Sequence, residues 1–204
     1  VIESDAVDPE GDTLSYSYTW QVGGVVSSAS ASSILSSTDT TKGEVWTVLV
    51  TASDGTGDGE AGTATVLIEN ASPSVSTVEV SPNPATAEDT LVCGWSGFSD
   101  PDGDGDESLL EWAINGSSSG TAAVLSEPFE KGDTVTCTVT PYDGEDTGPA
   151  LSDAVVVDNS TPSISSVSIT PSTAAAGEPL TCEWDGFSDA DDDLDQSTVE
   201  WTVN

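Results

Sequence analysis

Apolar and polar residues alternate in short runs along most of the chain. The runs have a period of two, are rich in Val, Thr, Trp and Tyr, and are separated by clusters of Gly, Pro, Asp and Ser, which is typical of β-strands joined by turns. They are Thr13 to Trp20, Val45 to Val50, Thr63 to Ile68, Val75 to Val80, Leu109 to Ile114, Thr134 to Thr140 and Ala154 to Val157. A weaker stretch, Ala29 to Thr41, suits either an edge strand or a loop. The pattern predicts an all-β protein.

The sequence repeats itself at a nearly constant offset. Residues 73 to 115 recur as residues 162 to 204, 89 positions on, and Trp20 aligns with Trp112 after a small deletion. A period of that size is too long for a solenoid unit and close to one immunoglobulin-like β-sandwich domain. We therefore expect tandem immunoglobulin-like domains in a linear array, with repeats at 1–71, 72–160 and 161–204. The first and third repeats would be partial, as expected for a segment of a longer array.

The charge of the chain narrows the classes of partner. Its 204 residues include 37 Asp and Glu but only 2 Lys and Arg and no His, which gives a formal net charge of −35. Such a surface repels nucleic acid phosphates and anionic lipids, so neither is expected as a partner, whereas cations are. The sequence has no apolar stretch of the about 18 residues that a membrane span needs.

Enzymatic motifs are absent from the sequence. Without His, and without a serine in a GxSxG setting, acid–base chemistry would have to rest on carboxylates. The carboxylate clusters of this chain recur in each repeat, whereas a catalytic site is normally singular. We therefore expect no enzymatic activity.

An acidic loop follows the first part of each repeat. In the second repeat it places acids at positions 1, 3, 5, 7 and 12 of the EF-hand calcium loop pattern, with Gly at position 6. These acids are Asp100, Asp102, Asp104, Asp106 and Glu111. In the third repeat they are Asp189, Asp191, Asp193, Asp195 and Glu200, with Leu194 at the glycine position. The first repeat keeps Asp8, Glu10 and Asp12, but Thr19 stands where the glutamate belongs.

Two interpretations of these loops remain open. A curled loop turns alternate carboxylates inward, and a hard cation that takes six to eight oxygens offsets their repulsion, which predicts structural Ca²⁺. Alternatively, the acids are solvated turn residues or reflect the general acidity of a protein from high salt. The flanking segments are predicted strands, so a regulatory EF-hand is not implied. A second acidic group is interpreted as plain turns: Asp54, Asp58 and Glu60, with Asp143, Glu145 and Asp146 in the next repeat.

Three triplets match the N-glycosylation sequon, at Asn70, Asn115 and Asn159. Such triplets are frequent by chance in a chain rich in Ser and Thr. Asn70 and Asn159 occupy equivalent positions just before the Ser/Thr-Pro that joins repeats, so a turn that ends the last strand explains them equally well. Glycans therefore stay candidate partners.

Two motifs carry a resemblance to a known family, and the resemblance covers the whole chain. Asp8-Pro-Glu-Gly-Asp12 with Trp20, and Asp100-Pro-Asp-Gly-Asp104 with Trp112, resemble those of the PKD, cadherin-like and bacterial immunoglobulin-like repeats of large microbial surface proteins. The resemblance implies stalks, adhesins or extracellular fibres, often with calcium, in which each repeat neighbours others of its kind. The alternative it leaves is an adhesin or carbohydrate-binding module of a secreted or surface protein. The Trp residues lie within predicted strands, which favours the core over a binding face.

The cysteines extend this resemblance. The order Cys93, Trp112, Cys137 resembles that of immunoglobulin-like domains, in which a disulfide between the sheets packs on a tryptophan, and so implies a bond between Cys93 and Cys137. In the first repeat, Val1 and Val48 stand at both cysteine positions, so the two are lost together.

The third cysteine, Cys182, corresponds to Cys93, and its partner would fall near position 226. A disulfide implies an oxidising compartment and hence an extracellular or cell-surface location. The alternative is three buried free thiols in a reducing compartment.

Overall fold

The computed structural model describes residues 7–126 and 129–203. Within them the chain forms short β-strands joined by turns and one 3-10 turn, Ser37–Asp39, so the all-β prediction is confirmed. The described residues contain no helix that is long and apolar enough to cross a membrane. The chain divides into two compact units, Val1–Ser72 with Asp100–Asp104, and Pro73–Ser99 with Gly105–Asn204. The three-repeat division stays a prediction from the sequence.

The first unit is built on an antiparallel sheet with the strand order β2-β1-β3-β4. Its strands are β1 (Ser15–Val22), β2 (Val25–Val26), β3 (Val45–Ser53) and β4 (Gly62–Leu67). Trp46 is buried, with its ring edge-on to Trp20 at 6.4 Å between centroids. The weak stretch from Ala29 to Thr41 is a loop, because serine hydroxyls bond to the nearby backbone in place of a neighbouring strand.

The second unit contains a two-layer sandwich. Its strands are β5 (Thr77–Ser81), β6 (Ala85–Thr86), β7 (Leu91–Ser96), β8 (Leu109–Ile114), β9 (Ser117–Gly120), β10 (Val124–Leu125), β11 (Thr134–Thr140) and β12 (Leu151–Asp158). One sheet has the order β10-β7-β5 and the other β6-β12-β11-β8-β9. The turn between β8 and β9 is Asn115-Gly116, whose φ values of 50° and 81° are those that a tight hairpin requires.

The inward faces of the two sheets form a single apolar core. Its fully or nearly fully buried members include Val80, Leu91, Leu110, Phe129, Val135, Val139, Val155 and Val157. Cys93 on β7 is bonded to Cys137 on β11, with 6.2 Å between their Cα atoms, so the disulfide joins the two sheets as predicted. Trp112 lies opposite Cys137 in the strand register, is fully buried and donates its indole N–H to the carbonyl of Ala122.

The remaining strands of the second unit form a two-stranded antiparallel sheet, β13 (Ser163–Thr170) and β14 (Thr181–Ser188). Most of its residues are exposed, because a two-stranded ribbon leaves both of its faces open. Cys182 is a free, partly buried thiol. The expectation that the Trp residues belong to the core holds for Trp46 and Trp112 but is wrong for Trp184 and Trp201, which are 39% and 50% exposed.

Candidate functional site

The first aspartate of each acidic loop organises that loop. The Oδ1 atom of Asp100 accepts hydrogen bonds from the backbone N–H groups of Asp102, at 2.8 Å, and Asp104, at 3.1 Å. Asp8 and Asp189 make the same two bonds in their own loops, at 2.9 to 3.1 Å. Aspartate favours such turns because its short side chain reaches the backbone two residues on. The curl that the spacing predicts therefore forms in all three loops.

The curl brings three carboxylates together in two of the loops. One oxygen from each of Asp100, Asp102 and Asp104 lies within 4.8 Å of the others, and Asp189, Asp191 and Asp193 repeat this arrangement. Within the described residues, the Oδ2 atoms of Asp100 and Asp189 are buried and accept no hydrogen bond. A buried acceptor without a donor is costly, so both groups suit a cation. Asp8, Glu10 and Asp12 form no such group in the part of the chain that the structure describes.

The other predicted calcium ligands lie outside these groups. Asp106 accepts a hydrogen bond from the indole of Trp95 at 3.1 Å, and Asp195 accepts one from Trp184 at 3.2 Å. Partial burial raises the pKa of Asp106, but the hydroxyl and backbone N–H of Ser108 and the indole of Trp95 lower that pKa by more. The glutamates at position 12, Glu111 and Glu200, are exposed. The structure thus gathers three of the five predicted ligands in the loops of the second and third repeats.

A lysine that the sequence analysis did not assign to the site lies against the first of these groups. The Nζ atom of Lys42 is 2.6 Å from Oδ2 of Asp104, and it also donates to Oδ1 of Asn70 at 2.9 Å. The backbone N–H of Ala71, the next residue, donates to Oδ2 of Asp102 at 2.7 Å. All of these residues belong to the first unit. The loop therefore holds a side chain and a stretch of backbone from the segment before it.

The same contacts recur within the second unit. The Nζ atom of Lys131 is 2.7 Å from Oδ2 of Asp193 and 2.8 Å from Oδ1 of Asn159. The backbone N–H of Ser160 donates to Oδ2 of Asp191 at 2.5 Å. The hydrogen bond to Asp193 raises the pKa of Lys131, burial opposes this rise, and the charges of Asp193, Asp191 and Asp189 add to it. Lysine and aspartate are 62 residues apart in both cases.

A tight turn presents each lysine. In the first unit, the backbone N–H of Glu44 donates to the carbonyl of Thr41 at 3.2 Å, and the Glu44 carboxylate accepts from the N–H of Thr41 at 2.8 Å. Gly43 has a φ of 85°, a conformation that glycine adopts at no steric cost. The turn around Lys131 has the same bonds between Glu130 and Asp133. A signal for this site was present in the sequence, because the Lys-Gly pairs and the Asn residues keep the 89-residue offset.

The second acidic group has the geometry of ordinary turns. Oδ1 of Asp54 accepts hydrogen bonds from the N–H groups of Thr56 and Gly57, which lower the pKa of Asp54. Oδ1 of Asp143 accepts from the N–H groups of Glu145 and Asp146. The carboxylates of Asp54 and Asp143 thus bond to the backbone of their own turns.

The three sequon asparagines all use their side chains in hydrogen bonds. Asn70 and Asn159 accept from the two lysines, as described above. Asn115, in the hairpin turn, donates to Asp133 at 2.7 Å and accepts from the N–H of Thr134 at 3.0 Å. Asn115 is exposed.

Comparison with known proteins yields matches among solved structures only. No family model and no curated protein matches the chain. A solved structure of fibronectin(III)-like modules of Clostridium thermocellum CbhA is similar at 14% identity and a TM-score of 0.30, covering 70% of this chain and 77% of that one. A likeness at this level carries no argument about function. The two packed sheets and the disulfide between them define the chain as an all-β protein with an immunoglobulin-like sandwich.

Proposed function

We propose that the chain is a structural repeat segment of an extracellular microbial filament, stalk or surface fibre and has no catalytic activity. The observation that carries this proposal is the recurrence, 89 residues on, of the contact between lysine and acidic loop. A contact that returns with the period of the sequence is a property of the repeat, as expected for an architectural element. Its partners would then be neighbouring repeats or protomers of the same kind.

The location follows from the chemistry of the cysteines and the surface. A disulfide that joins two buried strands persists in an oxidising compartment, which supports an extracellular or cell-surface location. A net charge of −35 keeps such a surface soluble and disfavours nucleic acids and anionic membranes as partners. If the fibre carries N-linked glycans, Asn115 is the first site to examine, because it is exposed, whereas the side chains of Asn70 and Asn159 accept hydrogen bonds from the lysines.

Small-angle scattering tests the structural role. A compact chain of 204 residues would have a radius of gyration of about 17 Å, whereas consecutive domains in a linear array would exceed this value clearly. The measurement is made in calcium and in chelator, with reduced protein as a control for loss of the disulfide. A radius near 17 Å in calcium would contradict the fibre and favour repeats that fold together around a shared cleft.

We also propose that calcium occupies the two groups Asp100, Asp102, Asp104 and Asp189, Asp191, Asp193. The buried, unpaired Oδ2 atoms of Asp100 and Asp189 support a hard cation there, and carboxylate oxygens are the ligands that Ca²⁺ takes. An ion that binds only the folded state stabilises it by about 2.7 kcal/mol at a hundredfold excess over its dissociation constant.

Thermal melting in calcium and in chelator tests this proposal. We expect calcium to raise the melting temperature, and Asp100→Asn to abolish the part of the rise that belongs to the first group. Glu111→Gln, outside the group, is the matched control and should keep the rise. Identical melting curves with and without chelator would leave the acids as solvated turn residues.

One feature favours the alternative, a carbohydrate-binding module. A groove in the second unit is lined by residues that include the half-buried Trp95, the acidic Glu111, Thr138 and Thr140. An aromatic face beside hydrogen-bonding groups is a common way to hold a sugar. Titration calorimetry with soluble plant and microbial oligosaccharides tests it. Binding that Trp95→Phe weakens would support this alternative over a purely structural role.

A further inference from the structure

We propose that Lys42 and Lys131 each tie the segment that ends one repeat to the acidic loop of the next, as an ion pair within the chain that needs no metal. We call each set of contacts a lysine clasp. The first clasp comprises Lys42, Asn70, the N–H of Ala71, Asp102 and Asp104, and lies within the first unit. The second comprises Lys131, Asn159, the N–H of Ser160, Asp191 and Asp193, and lies within the second unit. This assignment goes beyond the proposed function and does not depend on calcium.

The use of cationic residues in this chain is the first argument. Against 37 acidic residues the sequence has 2 cationic ones, and both occur in a clasp. A lysine placed for solubility or general charge balance has no reason to face one particular carboxylate. The same three contacts recur at the same separations of 62, 28 and 31 residues. This recurrence indicates that the contact is a property of the repeat.

The bonding pattern is the second argument. In the first clasp, one ammonium group bridges the loop carboxylate of Asp104 and the amide of Asn70, while the neighbouring N–H of Ala71 binds the next carboxylate, Asp102. The clasp thus joins three separate stretches of chain: the turn before β3, the segment that follows β4, and the acidic loop. Asp100 shapes that loop through its own two backbone bonds, so the orientation of the carboxylates does not depend on the lysine.

The effect of the clasp should be local. The Lys42 and Asp104 side chains are 30% and 33% exposed, and a partly exposed ion pair contributes little to global stability. The clasp instead restricts the motion of Asn70 and Ala71. The Ala71 N–H can exchange with solvent only when the clasp opens. Loss of the lysine should therefore free this N–H while the sheets stay folded.

Amide hydrogen exchange measured by NMR on the full chain in chelator tests the clasp. We expect Lys42→Gln to speed exchange of the Ala71 N–H by about tenfold or more and to leave the Ser160 N–H unchanged. Lys131→Gln should do the reverse, so each variant is the matched control of the other. Exchange of the Val135 and Val139 amides on β11 reports whether the sandwich stays folded. Lys42→Arg keeps the charge and should protect the Ala71 N–H better than Lys42→Gln does.

Two outcomes would overturn the proposal. One is exchange of Ala71 and Ser160 within twofold of the unmodified chain in the respective glutamine variants. The other is equal acceleration of both amides by either variant, which would indicate general loosening. The experiment excludes calcium, so its result does not depend on whether the calcium proposal succeeds in melting experiments. An unchanged radius of gyration in Lys42→Gln would show that the clasp acts locally, whatever the outcome for the fibre proposal.

Discussion

At the scale of single residues, the acidic side chains of one loop have different roles that depend on their hydrogen-bond donors. Asp100 accepts backbone N–H groups and shapes the loop, Asp104 accepts a lysine, and Asp106 accepts the indole of Trp95. The alternating sequence pattern treats all three as equivalent ligands. A difference between them arises because a tryptophan on β7 lies within reach of the fourth acid in the loop, which draws that acid away from the group.

The first prediction concerns the carboxyl of Asp106. Its pKa is lowered, so the contribution of its hydrogen bonds to stability is present above the ordinary carboxyl pKa of 3.8 and is lost as the pH falls through the lowered value. Trp95→Phe removes one donor and should raise the pKa of Asp106 toward 3.8. Carboxyl NMR titration measures the shift. Trp184→Phe is the matched control, since it should raise the pKa of Asp195 and leave Asp106 unchanged.

The second prediction concerns Gly148, whose N–H donates to the carbonyl of Pro141. A Cβ atom at this position would lie 1.7 Å from the carbonyl oxygen of Pro73, a backbone atom that cannot rotate away. Gly148→Ala should therefore destabilise the second unit by roughly 1 to 3 kcal/mol, the usual cost of overpacking. Urea denaturation followed by tryptophan fluorescence measures it. Gly94→Ala, with nothing within 4 Å of the added Cβ, should be close to neutral, and equal losses in both variants would contradict the steric argument.

At the scale of elements, the disulfide connects the two sheets that form the core of the sandwich. β7 belongs to the three-stranded sheet and β11 to the five-stranded one, and no backbone hydrogen bond can join strands in facing layers. The layers are therefore held by side-chain packing and by the bond between Cys93 and Cys137. The first repeat has valine at the corresponding sequence positions, Val1 and Val48, of which Val1 lies outside the described residues.

The third prediction follows from that bond. It closes a loop with a sequence separation of 44, which is worth about 4 kcal/mol on the chain-entropy model. The double change Cys93→Val and Cys137→Val should lower the free energy of unfolding of the second unit by about that amount. The matched control is the unmodified chain in reductant, which should lose a similar amount. An equally stable double variant would show that packing alone holds the sheets.

At the scale of the whole molecule, the dominant feature is unbalanced negative charge. Repulsion between 37 acidic residues opposes the folded state, and the two lysines offset only a small part of it. Salt screens this repulsion, since the Debye length falls from about 30 Å at 0.01 M to about 8 Å at 0.15 M. The clasps are also screened, but each involves one pair, whereas the repulsion involves the entire surface.

The fourth prediction is that sodium chloride stabilises the chain. In chelator, raising the salt from 0.01 to 0.15 M should raise the melting temperature on the order of 5 °C, which corresponds to one or two kcal/mol for a chain of this size. Differential scanning calorimetry measures it. Potassium chloride should act equally, because screening does not distinguish the two cations. A falling melting temperature would show that the ion pairs outweigh the repulsion.

The sequence by itself determined the features that depend on neighbouring residues. Alternation predicted β8 and β11 at their observed bounds, Leu109–Ile114 and Thr134–Thr140, because the side-chain period of a strand is local. Aspartate spacing likewise predicted the curled loops, because their bonds span only two and four residues. The resemblance to immunoglobulin-like domains correctly implied the disulfide.

Only the tertiary structure decided which side chains meet across long separations. The lysine clasps join residues 62 positions apart, and no local pattern specifies such a pair. Burial shows the same limit: Glu111-Trp112 and Glu200-Trp201 are identical in sequence, yet Trp112 is fully buried and Trp201 is 50% exposed. Trp112 lies beside β11 and under the opposing sheet, whereas Trp201 is not part of a strand in the described residues. Burial is set by what packs against a side chain, and that depends on parts of the chain far away in sequence.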